Sequence, residues 1–395
     1  MYIEATLLLL LFISLLIGYR FINRMIFTPW NITLSVWSIV LALYIFVDHG
    51  LYNITWQLIF GLTLWVLSFS ITSFGAFKYC PENKNPQWKI CNQNLDLLLI
   101  VCLLLVPYAT FKAIENAIRI DSPQGLFFTL REQAVDPKLY TIGPIKYFVY
   151  VVYVLFMIEI NRDKINKIRL SIASFLGLLF FFITMAKLTF FMFVVSGLYL
   201  LYEKKRISLK PILIFFLSFL FLAVLFQALR GTENEKVDTD SILWFLAVYV
   251  VSPMEAFCTD IGNSSMIFGE YTFRPLYNVL SGLGFNFYVH DAIEPYVYVP
   301  LPTNVYTMMS PYFRDFGYWG ILIFGMIEGA VTGCLCKLSA TGHTVIKYVY
   351  TYFLVLIFLQ FFEEDIFYGI SSIIYVTVIV FFCHIKFIWS KQGHA

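Results

Sequence analysis

Long apolar runs separated by short polar stretches dominate the chain. A helix needs about 20 mainly apolar residues to cross a bilayer, within a range of roughly 17–25. Eleven runs meet or approach that length: Tyr2–Tyr19, Trp30–Val47, Ile54–Phe77, Leu95–Phe111, Pro144–Ile160, Leu170–Ala186, Leu188–Tyr202, Pro211–Leu229, Gly317–Leu335, Val345–Phe362 and Gly369–Ile385. The two runs flanking Lys187 predict a hairpin with almost no loop. The first run lacks a preceding basic segment and a small-residue cleavage site, so it reads as a membrane helix rather than a removed signal.

Composition agrees with the pattern. The 395 residues are 60% hydrophobic, 19% aromatic and 13% charged, with a mean hydropathy of +0.77. Soluble domains carry about 25% charged residues, so a soluble enzyme, a disordered chain and a nucleic-acid binder are excluded. The expected fold is all-α: one polytopic transmembrane domain of about eleven helices (10–12) with two long outward loops containing short helices. Seven cysteines are scattered, four of them in or beside apolar runs, with no spacing typical of a zinc site or a disulfide framework. Cys334-Leu335-Cys336 reads as part of a span.

The distribution of charge orients the spans. One set of alternate loops, with the C-terminal tail, holds 17 of the 27 basic residues in short segments. The N-terminus is therefore expected outside and the C-terminus in the cytoplasm. Two outward segments exceed mere connections, Lys112–Gly143 and Arg230–Phe316, and long ordered loops usually carry function. Within the second, Ile242–Phe257 is apolar and contains Pro253. A further crossing there would place the tail's lysines outside, so an interfacial or re-entrant helix is expected.

Candidate chemistry gathers at the outer boundary, where four cations stand beside lipid. Lys187, at the tip of the hairpin, is either a snorkelling amine or a phosphate contact. Arg230 ends the eighth run, where it is either an interfacial anchor or a donor fork for phosphate. Arg274 offers a weaker version of the same signal. Arg314 precedes the ninth run beside Asp315, and a local Arg–Asp pair is its bland explanation. The stretch Pro300-Leu301-Pro302-Thr303-Asn304-Val305-Tyr306-Thr307 combines restrained backbone with hydroxyls and amides suited to sugars. Aromatic residues crowd Tyr271–Trp319 and offer flat platforms for pyranose faces. Such a cap suits a ligand with a lipid tail, an anionic head and a carbohydrate extension. Glu328, near the middle of the ninth run, is a functional suspect by its depth, or else a neutral group bonded to a neighbouring helix. Glu363-Glu364-Asp365 reads as a solvated turn more readily than as a divalent-cation site.

Pro302-Thr303-Asn304-Val305-Tyr306-Thr307, with Asp315-Phe316-Gly317 and Gly320, resembles the signature of bacterial O-antigen polymerases, within the wider group of oligosaccharide repeat-unit polymerases. Leu229-Arg230-Gly231 and Gly269-Glu270-Tyr271-Thr272 fit the same pattern. The resemblance implies an inner-membrane glycosyltransferase working on the periplasmic face. There a growing glycan on undecaprenyl diphosphate would pass to a hydroxyl of the next lipid-linked repeat unit. Donor and acceptor are both such lipid-linked oligosaccharides, membrane lipid surrounds them, and a chain-length regulator is a candidate protein partner. Arg230 and Arg314 would stabilise the diphosphate leaving group, with Arg274 and Lys187 in support. Asn304, Tyr306 and Thr307 would contact substrate. His290 or Asp315 would serve as base for the acceptor hydroxyl. No cofactor and no metal are expected, since arginines alone can neutralise a diphosphate. A flippase for the same lipid-linked units is the competing class. Transporters, however, place charge at mid-membrane and show internal repeats, whereas the polar mass here lies on one side. An O-antigen ligase would share the donor chemistry.

Overall fold

The computed structural model describes residues 2–385 apart from 82–87, 121–122, 124, 136–141, 211–241, 262–264, 266 and 291–293. In chain order its helices are α1 (Tyr2–Ile22), α2 (Pro29–Phe46), α3 (Trp56–Tyr79), α4 (Asn92–Ile120) and α5 (Leu126–Val135). After a 3-10 turn at Gly143–Tyr147 come α6 (Phe148–Asn161), α7 (Lys167–Thr184), α8 (Lys187–Glu203), α9 (Ile242–Asp260) and α10 (Arg274–Gly282). The series closes with α11 (Ser310–Ala340), α12 (Thr344–Phe358) and α13 (Ile370–His384). Two-residue strands β1 (Val297–Tyr298) and β2 (Pro302–Thr303) form a small antiparallel hairpin ahead of α11. The protein is an all-α polytopic membrane protein: α1 to α4, Gly143–Asn161, α7 and α11 are each long and apolar enough to cross a membrane. Shorter apolar helices occur within α8, α9, α12 and α13. The expected run Pro211–Leu229 lies outside the described residues.

Contacts between helix ends define two faces. On one, the Cys91 N–H donates to the Cys383 carbonyl (2.8 Å), Arg162 reaches Asn92 (2.7 Å), and Tyr350 donates to the Phe27 carbonyl (2.7 Å). This face carries the basic loops; Arg169 pairs with Asp96 (2.6 Å) and Lys204 with Asp163 (2.7 Å). On the other, the Tyr52 N–H donates to the Val299 carbonyl (3.3 Å) and the Met308 N–H to the Gln360 carbonyl (3.2 Å). The α7–α8 hairpin turns in two residues, Met185 taking the left-handed conformation (φ 47°) that closes so tight a corner.

Long apolar helices gain little from burying oil against oil, so close approach and shape decide which pairs hold. The α3–α11 pair is built on that rule. Gly325, Gly329 and Gly333 put small positions one turn apart on α11, facing Ser68, Phe69 and Ser73 of α3. A Cβ at Gly333 would stand 2.1 Å from the Ser73 carbonyl oxygen, and one at Gly329 2.5 Å from that of Phe69. Near the opposite end of the pair, Gln360 accepts from the indole N–H groups of Trp37 (3.0 Å) and Trp65 (3.1 Å). It donates to the Thr33 hydroxyl (3.1 Å) and the Ile357 carbonyl (2.8 Å). Every bonding capacity of that buried amide is used, and the end of α12 is pinned to α2 and α3.

Two elements position the region around Arg314. Gly317 breaks α11 (φ 60°, ψ −148°), a conformation open to glycine because it has no Cβ. The turn Ser310–Phe316 is thereby set at an angle to the membrane rod that follows. The second is α9, which packs on α2 and α3. Val250 to Phe257, the stretch around Pro253, are all buried.

Candidate functional site

The kinked turn of α11 carries Arg314 and Asp315. A cation this enclosed needs partners, and Arg314 has them. Its guanidinium lies between the rings of Tyr271 (4.8 Å to the centroid) and Tyr306 (4.7 Å), while Nη1 donates to Glu294 Oε2 at 2.7 Å. The neighbouring Asp315 is not its partner. That carboxylate accepts the backbone N–H groups of Tyr271 (3.2 and 3.1 Å) and Thr272 (2.6 Å), fastening the 270–272 turn onto α11. The Ser265 N–H adds a bond to the Arg314 carbonyl (3.0 Å). Asp315 thus holds in place the ring that Arg314 lies against.

The same turn organises His290. Its Nε2 is 2.7 Å from Glu270 Oε1, and its ring stacks on Tyr271 with centroids 4.3 Å apart. Glu270 is itself held by the Ser265 hydroxyl at 2.5 Å. Arg274, at the start of α10, donates through Nε to the His290 carbonyl (2.8 Å) and lies 5.7 Å from the centre of the Tyr368 ring. The Tyr306 hydroxyl donates to the Pro295 carbonyl (3.2 Å). Arg274, His290, Tyr306, Arg314 and Asp315, five residues singled out in the sequence, therefore meet in one cluster. Asn304 is half-buried beside them, and Thr307 is buried where its carbonyl accepts the Ser310 N–H (2.9 Å) at the start of α11. Lys187 opens α8 on the far side of the hairpin turn. Arg230 and Asp291 lie outside the described residues.

The acidic loop after α12 belongs to the cluster, in place of the solvated turn expected for it. Glu364 is buried and caps its own loop, its carboxylate accepting the N–H groups of Ile366 (2.7 Å), Phe367 (2.7 Å) and Tyr368 (2.9 Å). Burial pushes its carboxyl up, against those three donors. Asp365 is raised well above the usual range by burial and by the charges of Glu363 and Glu364. Glu363 alone of the three keeps an exposed side chain. Its carboxyl is nevertheless crowded enough to be pushed up to about 7; Arg131 pulls against that rise, and Glu364 and Glu294 add to it. Arg131 reaches this place from α5, which packs on α7 with Phe127 and Phe182 5.8 Å apart. Burial pulls its guanidinium below the ordinary value, and the nearby Glu363 opposes the fall.

Glu328 lies beneath the cluster, buried in α11. It accepts from the Tyr312 hydroxyl, whose ring stacks on Phe324 (4.5 Å) and packs over Trp65 (5.9 Å). Of its two readings, the structure provides the hydrogen bond, made within the helix across the kink at Gly317.

Arg131 and Glu294 are cluster residues that the sequence reading did not single out, while Glu270 and Tyr271 entered it only within a motif and Glu363 only within an acidic run. A lone arginine in an apolar-flanked segment was the available signal for Arg131. Nothing local marked Glu294, whose partner lies 20 residues on. Chemically, the arrangement offers guanidinium groups suited to oxyanions, aromatic faces and one open carboxylate. Among the described residues no group of His, Cys, Asp and Glu is placed to hold a metal ion.

No family model matches the chain, and no solved structure matches it. It is similar to a protein of Escherichia coli (strain K12) named "Putative O-antigen polymerase", with 31% identity over 141 residues. That similarity spans 35% of this chain and 35% of the relative's length.

Proposed function

We propose that the protein is a membrane-embedded glycosyltransferase that polymerises undecaprenyl-diphosphate-linked repeat units into O-antigen or a related surface polysaccharide. The reaction is assigned to the periplasmic face of the bacterial inner membrane. The observation that carries the reading is the cluster in which Arg314 and Arg274 stand among tyrosine rings, with Arg131 near Glu363 of the adjoining loop. The name of the similar protein supports it. As the glycosidic bond to the diphosphate breaks, negative charge grows on the leaving oxygens. Guanidinium groups already in place there lower the barrier without reorganising. Arg314 is assigned the central role, with Arg274, Arg230 and Lys187 completing the anion set. Tyr306, Asn304 and Thr307 orient the glycan, while Asp315 and the Glu270–His290 pair hold the turn that presents Tyr271.

The test is chain growth by the purified full-length protein on synthetic lipid-linked repeat units, with chelator present. Wild type is expected to yield a ladder of products, and Arg314→Ala only the starting unit at equal protein level. A ladder from Arg314→Ala matching that of wild type would defeat the role assigned to the arginine. Movement of intact units across a vesicle without growth would assign the chain to the flippase class.

A further inference from the structure

Transfer of a glycan to a hydroxyl poses a task that arginines do not perform. A proton must leave the acceptor oxygen as that oxygen bonds to the anomeric carbon. Of the two groups that the sequence offers for it, Asp315 accepts three N–H···O contacts from a turn, and His290 is stacked on Tyr271 with Nε2 against Glu270. Glu294 is spent on Arg314. Glu363 is exposed, and no described residue hydrogen-bonds its side chain.

The loop holding Glu363 is fixed on both sides. Before it, Gln360 is locked by two tryptophans, a threonine and the α12 backbone. After it, Glu364 is tied to three backbone N–H groups. A reactive group held by rigid neighbours keeps its geometry. The charges facing it are Arg131 from α5, Glu294 from the segment before β1, and Glu364 and Asp365 on its own loop. Tyr249 and Tyr296 stand near Arg131 on the same side.

Resting on the polymerase reading, we propose that Glu363 is the general base of the transfer and that Arg131 positions its carboxylate. The carboxylate takes the proton of the acceptor hydroxyl, whose oxygen forms a bond to the anomeric carbon. The bond from that carbon to the diphosphate oxygen breaks, its electron pair passing to the diphosphate held by the arginines. The proton then leaves to solvent, which reaches the side chain. A carboxyl raised toward neutrality suits the task, because a base works best when its pKa lies near the working pH.

The experiment measures kcat and KM for chain growth by the purified full-length protein between about pH 5 and pH 9, for wild type, Glu363→Gln and Glu363→Asp. Wild-type kcat is expected to climb with pH and level off above about 7. Glu363→Gln is expected to lose on the order of 10²- to 10⁴-fold in kcat, with KM for the lipid-linked unit nearly unchanged and the acidic limb gone. Glu363→Asp should keep part of the rate with that limb displaced. A Glu363→Gln protein with wild-type kcat, or one that keeps the acidic limb, overturns the assignment. If Glu363→Gln does not elute as wild type does, Glu363→Asp decides, an unmoved limb being the overturning result. A wild-type protein that extends nothing overturns the polymerase reading itself, which is a separate outcome.

Discussion

Glu294 meets Arg314 across 2.7 Å, at a guanidinium already flanked by the rings of Tyr271 and Tyr306. The cation proposed to bind a diphosphate is thus neutralised by a carboxylate when no substrate is present. An incoming phosphate oxygen competes with that carboxylate for the same donor fork.

Removing the competitor should expose the cation. Glu294→Gln is expected to tighten binding of undecaprenyl diphosphate to the protein in nanodiscs by several-fold, most clearly at low ionic strength, where charge is least screened. Weaker binding would show instead that Glu294 is needed to aim Arg314.

Arg314→Lys keeps the charge and discards the planar fork. A lysine ammonium cannot bind a phosphate bidentately while stacked between two rings, and each cation–π contact contributes roughly 0.5–2 kcal/mol. Chain growth should fall at least tenfold while the protein still purifies as wild type does. Full activity in this variant would mean that a point charge is enough.

The helical layout was legible because each crossing must satisfy its own backbone, which writes long apolar runs into the sequence. The site was legible only where chemistry is local. Arg314 was found by its place at a boundary, yet adjacency suggested the wrong partner: successive residues on a helix point in different directions and do not face each other. Asp315 therefore turns to the 270–272 backbone and Glu294 comes from another segment. The acids 363–365 looked like a solvated run because capping of a loop by Glu364 depends on how Ile366 to Tyr368 bend back. Gly325, Gly329 and Gly333 sit in a run that reads simply as apolar, and their meaning emerges only against Ser68, Phe69 and Ser73.

Titration of Glu363 should also appear in stability. Its carboxyl is raised in the folded protein, to about 7, above its ordinary value near 4.3 in an unfolded chain. A raised carboxyl contributes stability that is fully present below the unfolded value and is lost as pH rises through the folded one. Thermal unfolding followed from about pH 4.5 to 8 should show stability declining across that interval. Glu363→Gln should flatten this part of the profile, and an unchanged slope would place the titrating group elsewhere.

Glu328 permits a sharper test of what a buried acid does in a span. A mid-membrane carboxyl that carries protons or substrate charge cannot be replaced by an amide. Here Glu328 accepts from Tyr312, whose hydroxyl also lies against Glu364, so one phenol links the membrane rod of α11 to the acidic loop after α12. If that link is structural, Glu328→Gln, which still accepts a hydrogen bond, should leave both chain growth and unfolding temperature close to wild type. Tyr312→Phe removes the one proton donated to Glu328, while Glu364 keeps its three backbone donors; leaving a buried acceptor unsatisfied costs about 1–3 kcal/mol. It should lower the unfolding temperature clearly, and more than Glu328→Leu, after which the Tyr312 hydroxyl can still donate to Glu364. Loss of chain growth in a well-folded Glu328→Gln protein would reverse the conclusion and assign the ionised acid a part in the reaction.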